Sequence, residues 1–268
     1  MKDFLDKITH EVCRVARLAG EFISRSRVDF SPQRVEYKGE QNLVSYVDKE
    51  AERLILSELV KLLPEAKVLS EEGFSQLLSP LGDEYLWVVD PLDGTANFVH
   101  SMPPYCVSIA LLKGREVLVG VIYEVTRDEC FWAHKLSGCY LNGKQIRVSE
   151  VQRVQDSMVI TGMAYNTPGG EDSFLRAFSY FNVHTNGTRR IGSAAANLAY
   201  VAAGRAECFF QRGLSEWDVA AGVLLVERAG GIVCDYSGGD DVIFGREIIA
   251  TNNNTNNKFV EIICENSF

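Results

Sequence analysis

Residues 87–98 of this chain read WVVDPLDGTANF, an apolar run that leads into two aspartates and then a Gly-Thr pair. Two buried carboxylates this close to each other repel, and desolvation adds to the cost unless a positive charge lies between them. Carboxylate, carbonyl and water oxygens are the ligands that suit Mg²⁺, Mn²⁺ or Ca²⁺, whereas the lack of nearby Cys or His argues against zinc. We therefore predict that Asp90 and Asp93 bind a divalent cation where a strand over residues 85–90 ends.

The Gly-Thr pair after the second aspartate predicts a phosphate site in the same turn. Gly94 lets the backbone pass close to a ligand, and we expect Thr95 to cap a short helix whose free N–H groups hold an anion. Asp, Pro and Gly are also ordinary turn residues, so the tripeptide at 93–95 alone favours a plain turn. The preceding apolar strand and Asp90 shift the balance to a shared metal and phosphate site.

Length, composition and charge restrict the class of protein. The chain has 268 residues, enough for a large core in one domain or two, and its 46% hydrophobic and 24% charged content is typical of globular proteins. A formal charge of −9 disfavours nucleic-acid binding, because phosphate backbones are held mainly by clustered Lys and Arg. Neither a signal peptide nor a transmembrane run is recognisable. We expect a cytoplasmic protein with no nucleic-acid or membrane partner.

The seven cysteines are scattered along the chain, and no two are spaced as C-x-x-C. An odd number of thiols in mostly apolar surroundings is typical of reduced, buried cysteines in a cytosolic protein. We therefore predict no disulfide framework.

The first 73 residues predict two amphipathic helices and a short strand. Apolar residues recur at three and four positions over 4–23, and again from Asp48 to the proline at 64. A strand over 66–70 then ends in adjacent glutamates at 71 and 72. In isolation, Asp48 is equally well explained as a helix N-cap, and the glutamates as a solvated loop.

The middle of the chain predicts an antiparallel meander. After a loop at 77–84 and the strand described above, strands are expected at 105–112, 117–123 and 129–134, separated by short turns. A further turn at 141–144 continues the sheet.

The second half alternates strands and helices, which is typical of parallel α/β organisation. The predicted elements are a strand at 158–162, a helix at 173–181, strands at 183–185 and 206–211, a helix from 217 to about 229, strands at 232–235 and 248–251, and a helix at 258–264. We place a possible subdomain boundary near residue 155.

Two helix starts in this half carry candidate site residues. Gly192 and Gly204 flank an alanine-rich helix, whose small side chains favour close packing against another helix or approach to a ligand. Asp218 lies in the first turn of the next helix, where the helix dipole favours a carboxylate. By itself, Asp218 is also compatible with a purely structural role.

These segments together resemble the inositol monophosphatase family of metal-dependent, lithium-sensitive phosphatases. The residues that carry the resemblance are NLVS at 42–45 before Asp48, the glutamates at 71–72, DPLDGTANF at 90–98, GSAA at 192–195 and WDVAAG at 217–222. The resemblance implies one phosphatase unit over residues 1–268, with a layered αβαβα sandwich of two sheets. It also implies a homodimer.

The resemblance further implies which residues bind metal and substrate. The first Mg²⁺ would be held by Glu71, Asp90 and the Leu92 carbonyl, and the second by Asp90, Asp93 and Asp218. A third, weaker position would lie near Glu71 and Asp48, and Mn²⁺ is a plausible substitute. Thr95, with Glu71 or Asp48, would orient and deprotonate the attacking water. The implied substrate-binding residues are Asp93, Gly94, Thr95, Gly192, Ser193, Ala194, Gln211 and Asp218.

The implied reaction is Mg²⁺-dependent hydrolysis of a small phosphorylated metabolite by direct attack of water, with inositol 1-phosphate as the first candidate. In the animal enzymes a glutamate grips the inositol hydroxyls where this chain has Gln211, which lacks the charge that strengthens hydrogen bonds. Arg212 beside it favours a second anionic group, unless it is a solvated surface residue. The alternative substrates are fructose 1,6-bisphosphate, histidinol phosphate, adenosine 3′,5′-bisphosphate and NADP. A non-catalytic metal- and phosphate-binding regulator is the alternative of another class.

Overall fold

The computed structural model describes residues 1–28, 30, 35–37, 43–73, 82–163 and 171–266, and all structural statements below concern these residues. Helix α1 covers Lys2–Val28 and helix α2 covers Tyr46–Leu62, so both predicted N-terminal helices are confirmed. Between them, β1 (Val35–Tyr37) pairs antiparallel with β2 (Leu43–Ser45), a hairpin that the sequence did not predict.

The first large sheet contains seven strands that lie side by side in chain order. They are β3 (Lys67–Ser70), β4 (Tyr85–Asp93), β5 (Cys106–Lys113), β6 (Glu116–Glu124), β7 (Glu129–His134), β8 (Cys139–Leu141) and β9 (Lys144–Ile146). Strands β3 and β4 are parallel, whereas every later neighbour is antiparallel. The predicted meander is confirmed. The loop predicted at 77–84 lies mostly outside the described residues.

The second sheet contains five strands in the order β11-β10-β12-β14-β13. Their bounds are Val159–Thr161 for β10, Thr188–Arg189 for β11, Cys208–Arg212 for β12, Ile232–Cys234 for β13 and Glu247–Thr251 for β14. Strand β10 runs parallel to β11 and β12, but β14 runs antiparallel to β12 and β13. The predicted parallel organisation is therefore correct only for the first three strands.

One predicted strand of this half is wrong. Val183 and His184 belong to the end of α4 (Glu171–His184), and the strand that follows is β11. A short apolar run next to a helix has no periodicity of its own that separates strand from helix, which explains the error.

The remaining helices complete a sandwich of five layers. They are α3 (Thr95–Val99), α5 (Ala194–Ala202), α6 (Glu216–Arg228) and α7 (Asn256–Asn266). One apolar cluster joins α1 and α2 to the first sheet, a second encloses α5 and α6 between the two sheets, and a third joins the second sheet to α4 and α7. The predicted αβαβα arrangement is confirmed.

The region near residue 155 is a short 3₁₀ turn, Val154–Asp156, between the last strand of the first sheet and the first strand of the second. Because α5 and α6 pack on both sheets in one continuous cluster, the two halves share a core. All seven cysteines are free thiols, five of them buried, as predicted. None of the helices described is long and apolar enough to span a membrane.

Candidate metal and phosphate site

A β-bulge brings the two aspartates of β4 onto one face. Asp90 lies opposite Ser108 of β5 and Asp93 lies opposite Cys106, so three steps along β4 match two along β5. In a regular strand, residues three apart point to opposite faces, but one extra residue restores the same face. Pro91 suits the irregular position, because it has no N–H to contribute to the ladder. The strand thus extends to Asp93 instead of ending at Asp90.

Asp218 reaches the same place from the start of α6. Ser215 is the N-cap of this helix, and its N–H donates to Asp218 Oδ2 at 2.7 Å, which is half of a capping box. The Ser108 hydroxyl donates to the Trp217 carbonyl at 3.3 Å and ties the helix start to β5. As a result, one carboxylate oxygen from each of Asp90, Asp93 and Asp218 lies within 4.8 Å of the others.

The three carboxyl groups are strained electrostatically. Burial raises the pKa of Asp90 well above its ordinary value, and the negative charges of Glu71, Asp93 and Asp218 raise it further. Burial also raises the pKa of Asp93, and burial followed by the charge of Asp93 raises the pKa of Asp218 to about 7. Ionised carboxylates so arranged are stabilised by a cation between them. The hard oxygen donors fit Mg²⁺ or Mn²⁺, and in the described chain no second cluster of this kind occurs.

Glu71 lies beside this cluster at the end of β3. Its N–H donates to the Val89 carbonyl at 3.2 Å and extends the parallel pairing of β3 with β4 by one residue. Its charge is the strongest of the neighbouring carboxylates in raising the pKa of Asp90. The structure therefore brings Glu71, which the sequence singled out, close to Asp90.

Asp48 is buried and surrounded by hydrogen-bond donors. Its Oδ2 accepts from the Ser45 N–H at 2.9 Å and from the Ser45 hydroxyl at 2.6 Å, and its Oδ1 accepts from the Thr95 hydroxyl at 2.7 Å. The explanation of Asp48 as a helix N-cap is wrong, since Ser45 is the N-cap and Asp48 is the third helical residue of a capping box. Asp48 therefore connects α2 to Thr95.

Thr95 does not cap α3 either. Gly94 occupies the N-cap position with φ 93°, a left-handed conformation that favours glycine, and no side chain caps this helix. A Cβ on Gly94 would also lie 3.1 Å from the Pro104 carbonyl oxygen and 3.3 Å from that of Gly192. The Thr95 hydroxyl lies instead 2.7 Å from Asp48 Oδ1 and 3.0 Å from the Leu92 carbonyl oxygen.

The start of α5 holds Asp93 in place. Ser193 is the N-cap, and its hydroxyl donates to Asp93 Oδ2 at 2.5 Å, while the Ala195 N–H donates to the same oxygen at 2.7 Å. Helix N-termini favour anions, and here the anion is a side chain of the protein. Gly192, Ser193 and Ala194 thus border the site, and their contact with a substrate stays a prediction.

The two candidate specificity residues lie on opposite faces of β12. Gln211 lies on the same face of β12 as Phe209, which packs in the middle layer. Arg212 lies on the other face with Phe210, which packs in the cluster that joins the second sheet to α4 and α7. The Arg212 guanidinium lies 3.1 Å from Glu247 and 4.3 Å from the centre of the Tyr236 ring. Arg212 is therefore directed away from the layer of the aspartates, which argues against its binding a second phosphate.

Gln211 borders a narrow space beside Gly162. A Cβ on Gly162 would come within 1.9 Å of Gln211 Oε1, so a larger residue there would displace the amide. The absence of a side chain at 162 leaves room for Gln211.

Sequence reasoning gave no role to three residues that hold the candidate site together, although two of them, Ser45 and Asn97, lie in the quoted motifs. Ser45 anchors Asp48, Glu52 accepts a hydrogen bond from the Glu72 N–H at 2.9 Å, and the Asn97 amide donates to the carbonyls of Pro104 and Ile191 at 2.8 and 2.7 Å. The spacing Ser-x-x-Asp at 45–48 is a capping-box signal, which identifies Ser45. Glu52 lies one helical turn beyond Asp48, on the same face.

Helical and sheet layers alternate in this sandwich, and carboxylates from β4 and α6 meet at one point. The fold and the site together define the class: α/β proteins built around a candidate metal centre. Residues 5–267 match the model of the inositol monophosphatase family. The chain is 38% identical over 239 residues to an inositol-1-monophosphatase from Mesorhizobium japonicum, covering 89% of each chain. It is 40% identical over 241 residues to Nus factor SuhB from Pseudomonas aeruginosa, again covering 89% of each.

Two further comparisons agree. The chain is 34% identical over 239 residues to a fructose-1,6-bisphosphatase/inositol-1-monophosphatase from Thermotoga maritima, covering 89% of this chain and 88% of that protein. The crystal structure of extragenic suppressor protein suhB from Bartonella henselae superposes with a TM-score of 0.89 at 36% identity, covering 96% and 98% of the two chains. The chain therefore belongs to the inositol monophosphatase family, whose members are phosphatases of small phosphorylated substrates.

Proposed function

We propose that this protein hydrolyses a small phosphate monoester in a Mg²⁺-dependent reaction, with inositol 1-phosphate as the first candidate substrate. The observation that carries the proposal is the convergence of Asp90, Asp93 and Asp218, each with a raised pKa, near the bonded pair Asp48 and Thr95. Membership of a metal-dependent phosphatase family supports it.

The metal ligands in this proposal are Glu71, Asp90 and the Leu92 carbonyl for one ion, and Asp90, Asp93 and Asp218 for a second. A third, weaker position near Glu71 and Asp48 is part of the same proposal. When bound, Mg²⁺ makes a coordinated water more acidic and balances charge on the phosphate oxygens.

The protein's own groups orient the nucleophile. The Thr95 hydroxyl directs its single proton to Asp48 or to the Leu92 carbonyl, which leaves an oxygen lone pair to accept a hydrogen bond from water. As the water attacks phosphorus, its proton passes through Thr95 to Asp48, or directly to Glu71. The phosphorus–oxygen ester bond breaks as the bond to water forms, the departing alkoxide takes a proton from solvent water, and an alcohol and inorganic phosphate leave. No Cys, Ser or His nucleophile is needed, and the backbone of Gly94 and Thr95 receives the phosphate.

Gln211 is the proposed substrate-contact residue of β12. An amide both donates and accepts hydrogen bonds, which suits sugar or inositol hydroxyls, but it lacks the charge of a glutamate. The relative from Thermotoga maritima is named for both fructose 1,6-bisphosphate and inositol phosphate, so fructose 1,6-bisphosphate is the leading alternative. Histidinol phosphate, adenosine 3′,5′-bisphosphate and NADP are further alternatives. The orientation of Arg212 removes one candidate contact for a second phosphate in any bisphosphate substrate, fructose 1,6-bisphosphate included.

Phosphate release from these five compounds, with and without Mg²⁺, tests the proposal. We expect release that requires Mg²⁺ and is fastest for inositol 1-phosphate. Release from none of them, in a protein that still binds Mg²⁺ and phosphate by calorimetry, would favour a non-catalytic regulator instead. The complete set of carboxylates at 48, 71, 90, 93 and 218 argues against the regulator, since binding alone does not need every one.

The assembly and inhibition expected of the family belong to the same proposal. We propose a cytoplasmic homodimer that lithium inhibits. Light scattering coupled to gel filtration measures the mass of the assembly, and a mass near 29.8 kDa would identify a monomer and contradict the dimer.

A further inference from the structure

Glu52 is a buried carboxylate that the mechanism above does not use. It lies in α2, one helical turn beyond Asp48, and its exposed fraction is 7%. Buried glutamates are rare unless they are paired, and here the partner is the backbone: Oε2 accepts from the Glu72 N–H at 2.9 Å. Glu52 therefore joins α2 to the bend that follows β3.

The bend closes tightly against this carboxylate. A Cβ on Gly73 would lie 2.9 Å from Glu52 Oε1 and 3.1 Å from Ser70 Oγ, so Oε1 lies close to Gly73 while Oε2 accepts from Glu72. On the other side, the Glu71 N–H donates to the Val89 carbonyl. The backbone on both sides of Glu71 is thus held by hydrogen bonds, one to β4 and one to α2.

The type of residue at 52 is informative. A neutral acceptor would also satisfy the Glu72 N–H, whereas burying a carboxylate in its place costs more in desolvation. A charged acceptor forms a hydrogen bond roughly twice as strong as a neutral one. A carboxylate at position 52 therefore fixes the bend more firmly than a neutral acceptor of the same N–H would.

We propose that Glu52 is a positioning residue that fixes the backbone at Glu72, and thereby holds the Glu71 carboxylate against Asp90 to complete a metal site. This inference rests on the proposed function, in which Glu71 is a metal ligand. Residues four apart on a helix share one face. In this way α2 would hold two parts of the site at once, Thr95 through Asp48 and Glu71 through Glu52.

The test compares Glu52→Leu with Glu52→Gln, and with Glu50→Gln as the matched control. Glu50 lies on the exposed side of the same helix and pairs with Arg53. Mn²⁺ binding is measured by calorimetry, and phosphate release is measured across a Mg²⁺ titration. Circular dichroism and the Tm of the metal-free proteins check the fold.

We expect Glu52→Leu to weaken metal binding by about 10-fold to 100-fold, the usual effect of losing a group that orients a ligand. Glu52→Gln keeps an oxygen acceptor and should restore most of the affinity, while Glu50→Gln should match the wild type. Turnover of Glu52→Leu should recover substantially at saturating Mg²⁺, because the groups that orient the water remain.

A folded Glu52→Leu protein with wild-type Mn²⁺ affinity would overturn the inference. If that variant does not fold, Gly73→Ala tests the same contact from the other side, since its Cβ must displace the Glu52 carboxylate. Wild-type affinity in Gly73→Ala would then overturn it. If the wild-type protein hydrolyses no phosphate ester but its Mn²⁺ affinity depends on Glu52, the proposed function fails and the positioning role stands.

Discussion

Asp48 and Asp90 are buried carboxylates of the same candidate site, and their electrostatic surroundings differ. Burial raises the pKa of Asp48, but every other influence on it is a hydrogen bond that lowers the pKa, from Ser45, Thr95 and its own backbone. Asp90 accepts the Leu92 N–H, and three other carboxylates raise its pKa further. Hydrogen bonds within the protein partly offset the burial of Asp48, although its pKa is still raised, whereas repulsion between carboxylates adds to the burial of Asp90. A cation would relieve that repulsion.

The largest expected effect comes from removing a carboxylate of the cluster. Asp93→Asn should lower turnover by about a thousand-fold or more, because in the proposed reaction it removes a ligand of the Mg²⁺ that would activate the attacking water. The fold should persist without metal, since the substitution relieves repulsion between carboxylates. Steady-state kinetics over a wide range of Mg²⁺ concentrations measure the effect.

Asp83→Asn is the matched control. The Asp83 side chain is 93% exposed, and the substitution affects only its 3.6 Å contact with Lys113. It should leave activity unchanged. Full activity of Asp93→Asn at low Mg²⁺ would show that the cluster is not the metal site.

A smaller loss of activity should separate the two roles of the Asp48 network. Asp48→Asn should lower turnover by about 100-fold, a usual value for loss of a proton acceptor. Ser45→Ala removes the N-cap hydroxyl but leaves the bond between Asp48 and Thr95, so it should cost about 1 kcal/mol of stability and retain most turnover.

Both variants are compared by urea unfolding and by turnover at saturating Mg²⁺. If Ser45→Ala loses as much turnover as Asp48→Asn at equal stability, Asp48 acts through the helix cap and not as a proton acceptor.

The smallest effect is a pH dependence of the metal-free protein. The folded-state pKa values of Asp90, Asp93 and Asp218 are raised, so between the unfolded value near 3.8 and about 7 the folded state binds more protons than the unfolded state. The free energy of unfolding without metal should therefore decrease as pH rises through this window. Mg²⁺ should stabilise the protein most at or above pH 7, where the carboxyls are ionised.

Urea unfolding in a chelator at several pH values measures this trend, and Asp93→Asn should flatten it. Stability that instead rises from pH 4 to 7 by the same amount in wild type and variant would place the controlling groups elsewhere.

The sequence predicted which carboxylates come together better than it predicted the geometry that brings them together. Residue chemistry alone identified Asp90 and Asp93, because adjacent carboxylates at the end of an apolar run have few structural uses. Their common face depends on a bulge, and an odd spacing in a strand suggests the opposite arrangement. The cap of α2 was misassigned although its Ser-x-x-Asp signal was present.

Errors elsewhere have similar causes. The end of α4 was predicted as a strand because local patterns do not show how far a helix continues. The antiparallel return of β14 depends on how distant segments pack, which no short motif encodes. The choice between substrates depends on the shape around Gln211, where sequence supplies a residue type but not a pocket.

The middle helical layer is closely packed, and this packing has a consequence for the candidate metal site. Every residue of α5 is buried, and a Cβ on Gly222 of α6 would lie 2.4 Å from Leu198 Cδ1. On the opposite side, a Cβ on Gly120 of β6 would lie 2.6 Å from the Ala221 carbonyl oxygen. These contacts set the distance between α6 and the first sheet, and Asp218 meets the aspartates of β4 across that distance. The thickness of a helix layer is thus one of the dimensions of the candidate metal site, and it is set by residues outside the carboxylate cluster.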